Sequence, residues 1–179
     1  MKVRVPFIPL RGQTFFPNTI VGFDIGRDKS LKSLDAAMSE DKHLIVATQR
    51  DISINAPKEE DIFMTGVEIR VKQVIKRHEE YVRVLAECVN RIRLSAVYDE
   101  DDTLYCDYEV LDSISEENYE LNVMALVRVL KETYFSYVEM SNSGEAAARA
   151  LIDGVDDPVE LAYTIAGELA VPFDVLQGL

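Results

Sequence analysis

Apolar positions mostly alternate up to about residue 112, the period of half-buried strands, and recur at helical spacing beyond about residue 117. The chain therefore reads as a β-rich part followed by a helical part. Val5, Phe7 and Leu10 predict an opening strand. Pro6 and Pro9 confine it to an edge or a sheet end, because proline cannot donate to a ladder. Thr19 to Ile25 predicts the next strand. Leu31, Leu34 and Met38 then fall on one face of a short helix, with Asp28 available as its N-cap. The apolar run Leu44 to Gln49 has the length of a buried strand and leads into a polar loop holding Asn55, Pro57 and the acids Glu59 to Asp61. Val67, Ile69 and Val71 alternate, whereas Val74 is out of phase; one extra residue near Lys72 or Gln73, a β-bulge, accounts for the slip. Beyond Arg77-His78-Glu79-Glu80 come two further alternating runs, Val82 to Cys88 and Ile92 to Tyr98. The acidic turn Asp99 to Asp102 then returns the chain into Leu104 to Leu111. Sequential hairpins of this kind predict an antiparallel meander that curls into a barrel-like sheet.

From Glu116 the spacing predicts one long amphipathic helix through Leu121, Met124, Tyr134, Phe135 and Val138, ended by Ser141 to Gly144. A short helix over Glu145 to Ile152 is stopped by Gly154. Asp157-Pro158 reads as an N-cap followed by proline at the first helical position, and Leu161, Ala162, Ile165 and Leu169 give that helix its buried stripe. Val171-Pro172 begins another turn, and the C-terminus reads as a cut. The expected fold class is α+β, with a β subdomain over 1–114 and a helical subdomain over 115–179.

Charge follows the same division. The net charge is −13, from 19 Lys+Arg and 32 Asp+Glu. Residues 1 to 50 carry eight basic and five acidic side chains, residues 51 to 93 eight of each, and residues 94 to 179 three and nineteen. An acidic half repels phosphate, so nucleic-acid binding is not expected there. No uninterrupted apolar stretch of about 18 residues occurs, and Met1 to Pro6 is too broken for a signal peptide, so no membrane partner is expected. Two cysteines, Cys88 and Cys106, are too few for a disulfide framework and fit a reducing compartment; the expected location is cytoplasmic.

The chemistry of catalysis is not apparent. There is no Gly-x-x-x-x-Gly-Lys-Ser/Thr cradle and no Gly-x-Gly-x-x-Gly turn between a strand and a helix. His43 and His78 stand in polar surroundings without metal-ligand spacing, and are expected at the surface. Cys88 and Cys106 occupy alternating strand positions and read as packed core thiols. The Asp99 to Asp102 run lacks the glycine and the spaced ligands of a calcium loop and reads as a solvated hairpin tip, so no metal site is expected. Lys29 and Ser30 are adjacent on a helix and do not face each other, which rules out a dyad. What stands out instead is apolar chemistry among turn residues: Phe15-Phe16 between Leu10 and Asn18, and Phe63-Met64 after the acidic loop. One of the two phenylalanines is expected in the core and the other is free for a partner. The structural alternative is that these side chains seal the end of the sheet.

The order of motifs resembles the amino-terminal domain of Lon proteases over nearly the whole chain. Pro9-Leu10-Arg11-Gly12, Phe16-Pro17 and Asp24-Ile25-Gly26-Arg27-Asp28-Lys29-Ser30 resemble the family's opening. Thr48-Gln49-Arg50-Asp51, Pro57, Glu60 to Val67, Gln73 to Lys76, Val84 to Arg91 and Asp157-Pro158-Val159-Glu160-Leu161-Ala162 follow in the family's order. Phe63 replaces a usual tyrosine, and Cys88 replaces a common glycine, so the backbone at 88 does not need positive φ. The resemblance implies a PUA-like antiparallel β pseudo-barrel with one short inserted helix, followed by a C-terminal helical bundle.

It also implies a non-catalytic module that recognises and tethers unfolded or damaged polypeptides and supports a hexameric ring. The ATPase, with its ATP and magnesium, and the Ser-Lys peptidase belong to a downstream module, so no cofactor is expected in this chain. Phe15, Phe16, Phe63 and Met64 are the candidate polypeptide contacts, since exposed Phe and Met side chains hold apolar segments adaptably. The alternatives are a stand-alone Lon-domain adaptor, or a PUA-like module binding RNA or a small ligand. For RNA, the basic residues between Arg70 and Arg93 are diluted by Glu68, Glu79, Glu80 and Glu87.

Overall fold

In the computed structural model, residues 4–77, 80–111, 121–141 and 145–178 are described. Six strands are linked in the order β2-β5-β4-β3-β1-β6: β1 (Val5–Leu10), β2 (Ile20–Ile25), β3 (His43–Gln49), β4 (Ile62–Arg77), β5 (Val82–Glu100) and β6 (Thr103–Val110). Because β6 pairs with β5 as well as with β1, the ladder closes on itself. Helix α1 (Asp28–Ser39) lies between β2 and β3 in sequence. The class is α+β, and the sheet is mixed.

That mixture corrects the expected antiparallel meander: β1 and β3 run parallel, from Phe7↔Ile45 to Leu10↔Thr48. Parallel neighbours need a long crossover, and β2 plus α1 supply one. β1 and β3 are also buried on both faces. Ile8, Leu10, Leu44 and Val46 enter one core cluster, and Val5, Phe7, Ile45 and Ala47 enter the other. Such burial produces continuous apolar runs rather than alternation.

A second correction concerns β5. The runs read as two strands form one strand of 19 residues. Val82, Val84, Ala86 and Cys88 enter the first core cluster and Ile92 and Leu94 the second. The register shift at Glu68/Ile69 leaves Val89 as an extra residue between them, and Asn90 beside it donates its amide to the buried Glu68 carboxylate at 2.7 Å. The expected bulge is present, with the β4–β5 register shifting between Val71 and Gln73. Further shifts occur at Glu68/Ile69 and Val74/Lys76. They let long strands bend around a closed sheet. At the β5–β6 turn Asp101 and Asp102 take φ of 51° and 62°, the left-handed pair of a tight hairpin.

Helix α1 departs from expectation at its start. Arg27, not Asp28, holds the cap position, with no side-chain cap bond, and Asp28 stands in the first turn where a carboxylate favours the helix dipole. Leu34 and Ala37 bury against the first core cluster. Ser33 Oγ accepts from the Leu104 amide at 3.1 Å and donates to the Lys29 carbonyl at 2.9 Å, fixing α1 to β6.

The chain divides into two compact units, Met1–Leu111 with Ala170–Leu179, and Asp112–Leu169. The expected boundary at 114/115, the start of the helical pattern at Glu116 and His78 lie outside the described residues. In the second unit α2 (Leu121–Ser141), α3 (Glu145–Ile152) and α4 (Pro158–Glu168) share a core of Tyr134, Val138, Ala148, Ile152, Leu161 and Ile165. Asp157 caps α4 as expected, accepting from the Glu160 amide at 2.7 Å with Pro158 in the first turn. The last turn, α5 (Phe173–Leu176), belongs to the β unit. There the Gln177 amide donates to Thr48 Oγ1 at 2.9 Å, and Thr14 Oγ1 donates to the Phe173 carbonyl at 3.2 Å.

Two substitutions test these packing arguments. A Cβ at Gly66 would lie 2.4 Å from the Val46 carbonyl oxygen, so Gly66→Ala should destabilise the β unit by about 1–3 kcal/mol in urea titration. Removing the cap with Asp157→Ala should cost about 1 kcal/mol in the helical unit, read by the loss of helical circular dichroism on heating.

Candidate functional site

Three segments of the β unit enclose an open groove of about 900 Å³: the start of α1, the loop 55–59 and the β5–β6 hairpin; Pro9 of β1 also lines it. The Ser33 bonds hold the helix over β6, and the Val97 amide donates to Glu59 Oε2 at 3.0 Å, tying the loop to β5. Pro9, Ala56, Pro57, Val97, Tyr98 and Leu104 supply the apolar lining. Around them stand four cations, Arg27, Lys29, Lys32 and Lys58, and four carboxylates, Asp28, Glu59, Asp99 and Asp102. Lys29 is ion-paired with Asp99, and Lys32 meets Asp102 at 3.1 Å. The hydrogen bond to Asp99 raises the Lys29 pKa, and the bond from Lys32 lowers that of Asp102. These pairs are solvent-screened and hold little energy, so they can part for a ligand. An apolar groove with balanced, movable charges suits extended chains of varied sequence.

Behind this groove lies a polar hub. Arg27, half removed from water, donates to Gln49 Oε1 at 2.9 Å and to the Pro9 carbonyl. Burial, then the neighbouring Arg11, lowers its pKa. Gln49 is fully buried and donates to the Ile54 carbonyl at 2.7 Å and to that of Asp51. One guanidinium and one amide thus join the ends of β1 and β3, the start of α1 and the loop that borders the groove.

The four aromatic and thioether candidates lie elsewhere. Phe16 is buried at 7% exposure, whereas Phe15 is half-buried and meets Phe23 edge to face at 5.3 Å. The pair divides as expected, one into the core and one partly open. Phe63 is half-buried beneath the Arg50 guanidinium, 4.4 Å from its ring centre, and Met64 packs on the second core cluster. Leu176 and Gln177 stand over Phe15 and Phe16. Position 88 does not take positive φ, in keeping with cysteine there.

Sequence reasoning missed the groove and the hub, because their residues come from five separate segments. It also placed His43 at the surface. His43 is half-buried, with Nε2 at 3.1 Å from Glu68 and 3.4 Å from the Tyr108 hydroxyl. The β3–β4 pairing that brings them together is not written in local spacing. Among the described residues no group of three or more His, Cys, Asp or Glu is placed to hold a metal. None of their helices is long and apolar enough to cross a membrane.

The family model described as the ATP-dependent protease La (LON) substrate-binding domain matches residues 4–179. The chain belongs to this Lon domain family. It is 30% identical over 169 residues to Lon protease 1 of Bacillus subtilis, covering 94% of the chain and 22% of that protein. Against the Lon protease of Clostridioides difficile the identity is 33% over 172 residues, 92% of the chain and 21% of the relative. The chain thus spans about a fifth of the length of these curated relatives. Its fold is similar to the N-terminal domain of Mycobacterium avium complex Lon protease, with a TM-score of 0.75 at 16% identity, over 94% of this chain and 83% of that one. This membership favours a Lon substrate-binding domain over a module for RNA or a small ligand.

Both thiols of this Lon-family domain are inaccessible, Cys88 at 1% exposure with its pKa pushed by burial up to about 11, and Cys106 fully buried and also raised. A thiolate is the reactive form. Ellman's reagent should therefore find no fast-reacting thiol in the native protein and two after denaturation; a fast native thiol would contradict this burial.

Proposed function

We propose that this domain binds unfolded or damaged polypeptide segments in the groove between α1, the 55–59 loop and the β5–β6 hairpin, tethering them for an ATP-dependent Lon-type protease. The carrying observation is the groove itself, apolar within and charge-balanced around. Non-native chains expose apolar side chains beside charged ones, and such a lining accommodates both without selecting one sequence. Phe15 and Phe63 keep part of their surface open and serve as secondary contacts. Met64 packs on the second core cluster and Phe16 is buried, so neither is offered as a primary contact. Affinity per domain is weak. A ring presenting several copies raises it through avidity. The same reading takes the closed sheet as PUA-like, the helical unit as a bundle, the location as cytoplasmic and the assembled parent as a hexamer. It leaves ATP hydrolysis and peptide cleavage to other parts of the parent.

The test is fluorescence anisotropy of a labelled, reduced and carboxymethylated model protein titrated with the 179-residue chain. Saturable binding is expected. Ala56→Arg, which fills the groove from an exposed position, should weaken it about tenfold, the equivalent of losing one apolar contact. Absence of binding would remove the reading. Binding unchanged by Ala56→Arg but lost in Phe15→Ala would move the site to the Phe15 loop.

A further inference from the structure

Among the described residues, β1 pairs with β6 only at Val5 and Pro6, and with β3 from Phe7 to Leu10; β2 pairs with β5 alone. Between the later half of β1 and the free edge of β2 lies a second cavity, of about 380 Å³. It is lined by every residue in turn from Ile8 to Arg11 and from Gly22 to Arg27. Side chains of a strand alternate between faces, so an unbroken lining means that backbone edges face the space. The two edges differ. Pro9 has no amide hydrogen and its carbonyl is taken by Arg27, so the β1 edge is blocked. β2, Ile20-Val21-Gly22-Phe23-Asp24-Ile25, carries no proline and no bulge, and its one charge, Asp24, is neutralised by Arg83 of the neighbouring strand.

The charges at this seam are unbalanced, unlike those of the groove. Asp24 and Arg83 satisfy each other through two bonds of 2.7 and 2.6 Å. Arg11 and Arg27 meet no carboxylate among the described residues. Arg11 donates to Asn55 Oδ1 at 2.9 Å and to the Ile54 carbonyl, and Arg27 to Gln49 and Pro9. A guanidinium has five donors, so holding two neutral acceptors leaves others for an anion. In a chain of net charge −13, two neighbouring arginines without a counter-ion among the described residues mark a place for a carboxylate.

We infer that an extended polypeptide adds to the free edge of β2 as a further strand and sets a carboxylate against Arg11 and Arg27. This deepens the polypeptide-binding reading and rests on it. The backbone bonds of strand addition accept any sequence, and the arginine pair favours segments with an acidic residue or a free C-terminus. The seam and the groove share Pro9, Gly26, Arg27 and Ser30, so one bound chain can run from one into the other.

The test uses the full 179-residue chain and labelled hexapeptides of alternating Val and Thr. One has a central Asp and blocked ends; its counterpart has Asn. A third has neutral side chains and a free C-terminal carboxylate. Two more repeat the Asp peptide with N-methyl groups on alternate residues, in either phase. The Asp peptide should bind about tenfold more tightly than the Asn peptide, and Arg11→Gln, which leaves the Gln49 bonds intact, should remove that advantage. At least one N-methylated version should lose binding, and amide exchange within 20–25 should slow with the Asp peptide bound. Preference for the third peptide over the Asp peptide would assign the carboxylate to a chain terminus. Equal binding of the Asp and Asn peptides, or both N-methylated versions binding like the parent, would overturn the inference. If the chain still holds the unfolded model protein, the groove reading survives that result; if it holds neither, both fall.

Discussion

A guanidinium half withdrawn from water and bonded, among the described residues, only to neutral groups is an expensive arrangement, and the groove end of the β unit is organised around it. Arg27 spans the Pro9 carbonyl and the Gln49 amide, and Gln49 in turn holds the backbone at Asp51 and Ile54. Without this bridge the end of β1, the start of α1 and the loop bordering the groove would have no common anchor. β1 tolerates Pro9 because the edge where its amide hydrogen is missing is the one its carbonyl turns to Arg27, away from the ladder with β3. Arg27 is also among the residues that line both cavities. Scaffold and site are therefore not separable here, and changes at Arg27 act on both.

Much of the fold was legible where a single element decides the pattern. The compact apolar run at Leu44 to Gln49 marked a buried strand, the phase slip before Val74 marked a bulge, and Asp157-Pro158 marked a helix start. What failed depended on distant partners. The parallel β1–β3 pairing follows from how a crossover packs, and no local period reports it. β5 reads as two strands because its apolar side chains pass from one core cluster to the other across the extra residue Val89, and the polar Asn90 beside it is satisfied across the sheet by Glu68. The return of residues 170–178 to the β unit hangs on hydroxyls of Thr14 and Thr48 that carry no helical or strand signal.

The site was legible in composition but not in position. Adjacent phenylalanines drew attention, and the structure puts one in the core and leaves the other only partly open. The groove is made of prolines, an alanine, a valine, a leucine and a tyrosine from separate segments, with lysines whose charge is answered by the Asp99–Asp102 turn. That turn, read from sequence as a solvated tip, has a second role as the counter-charge to α1. The acidity of the chain thus has local structure: balanced at the groove, and in deficit at the seam beside it.

The most direct measurement is amide chemical-shift mapping of the isotope-labelled 179-residue chain titrated with an unfolded model polypeptide. Saturable shifts centred on 26–32, 55–59 and 97–104 are the predicted result. Shifts clustered in the helices between 121 and 168, or none at saturating concentration, would contradict a polypeptide site built around Arg27.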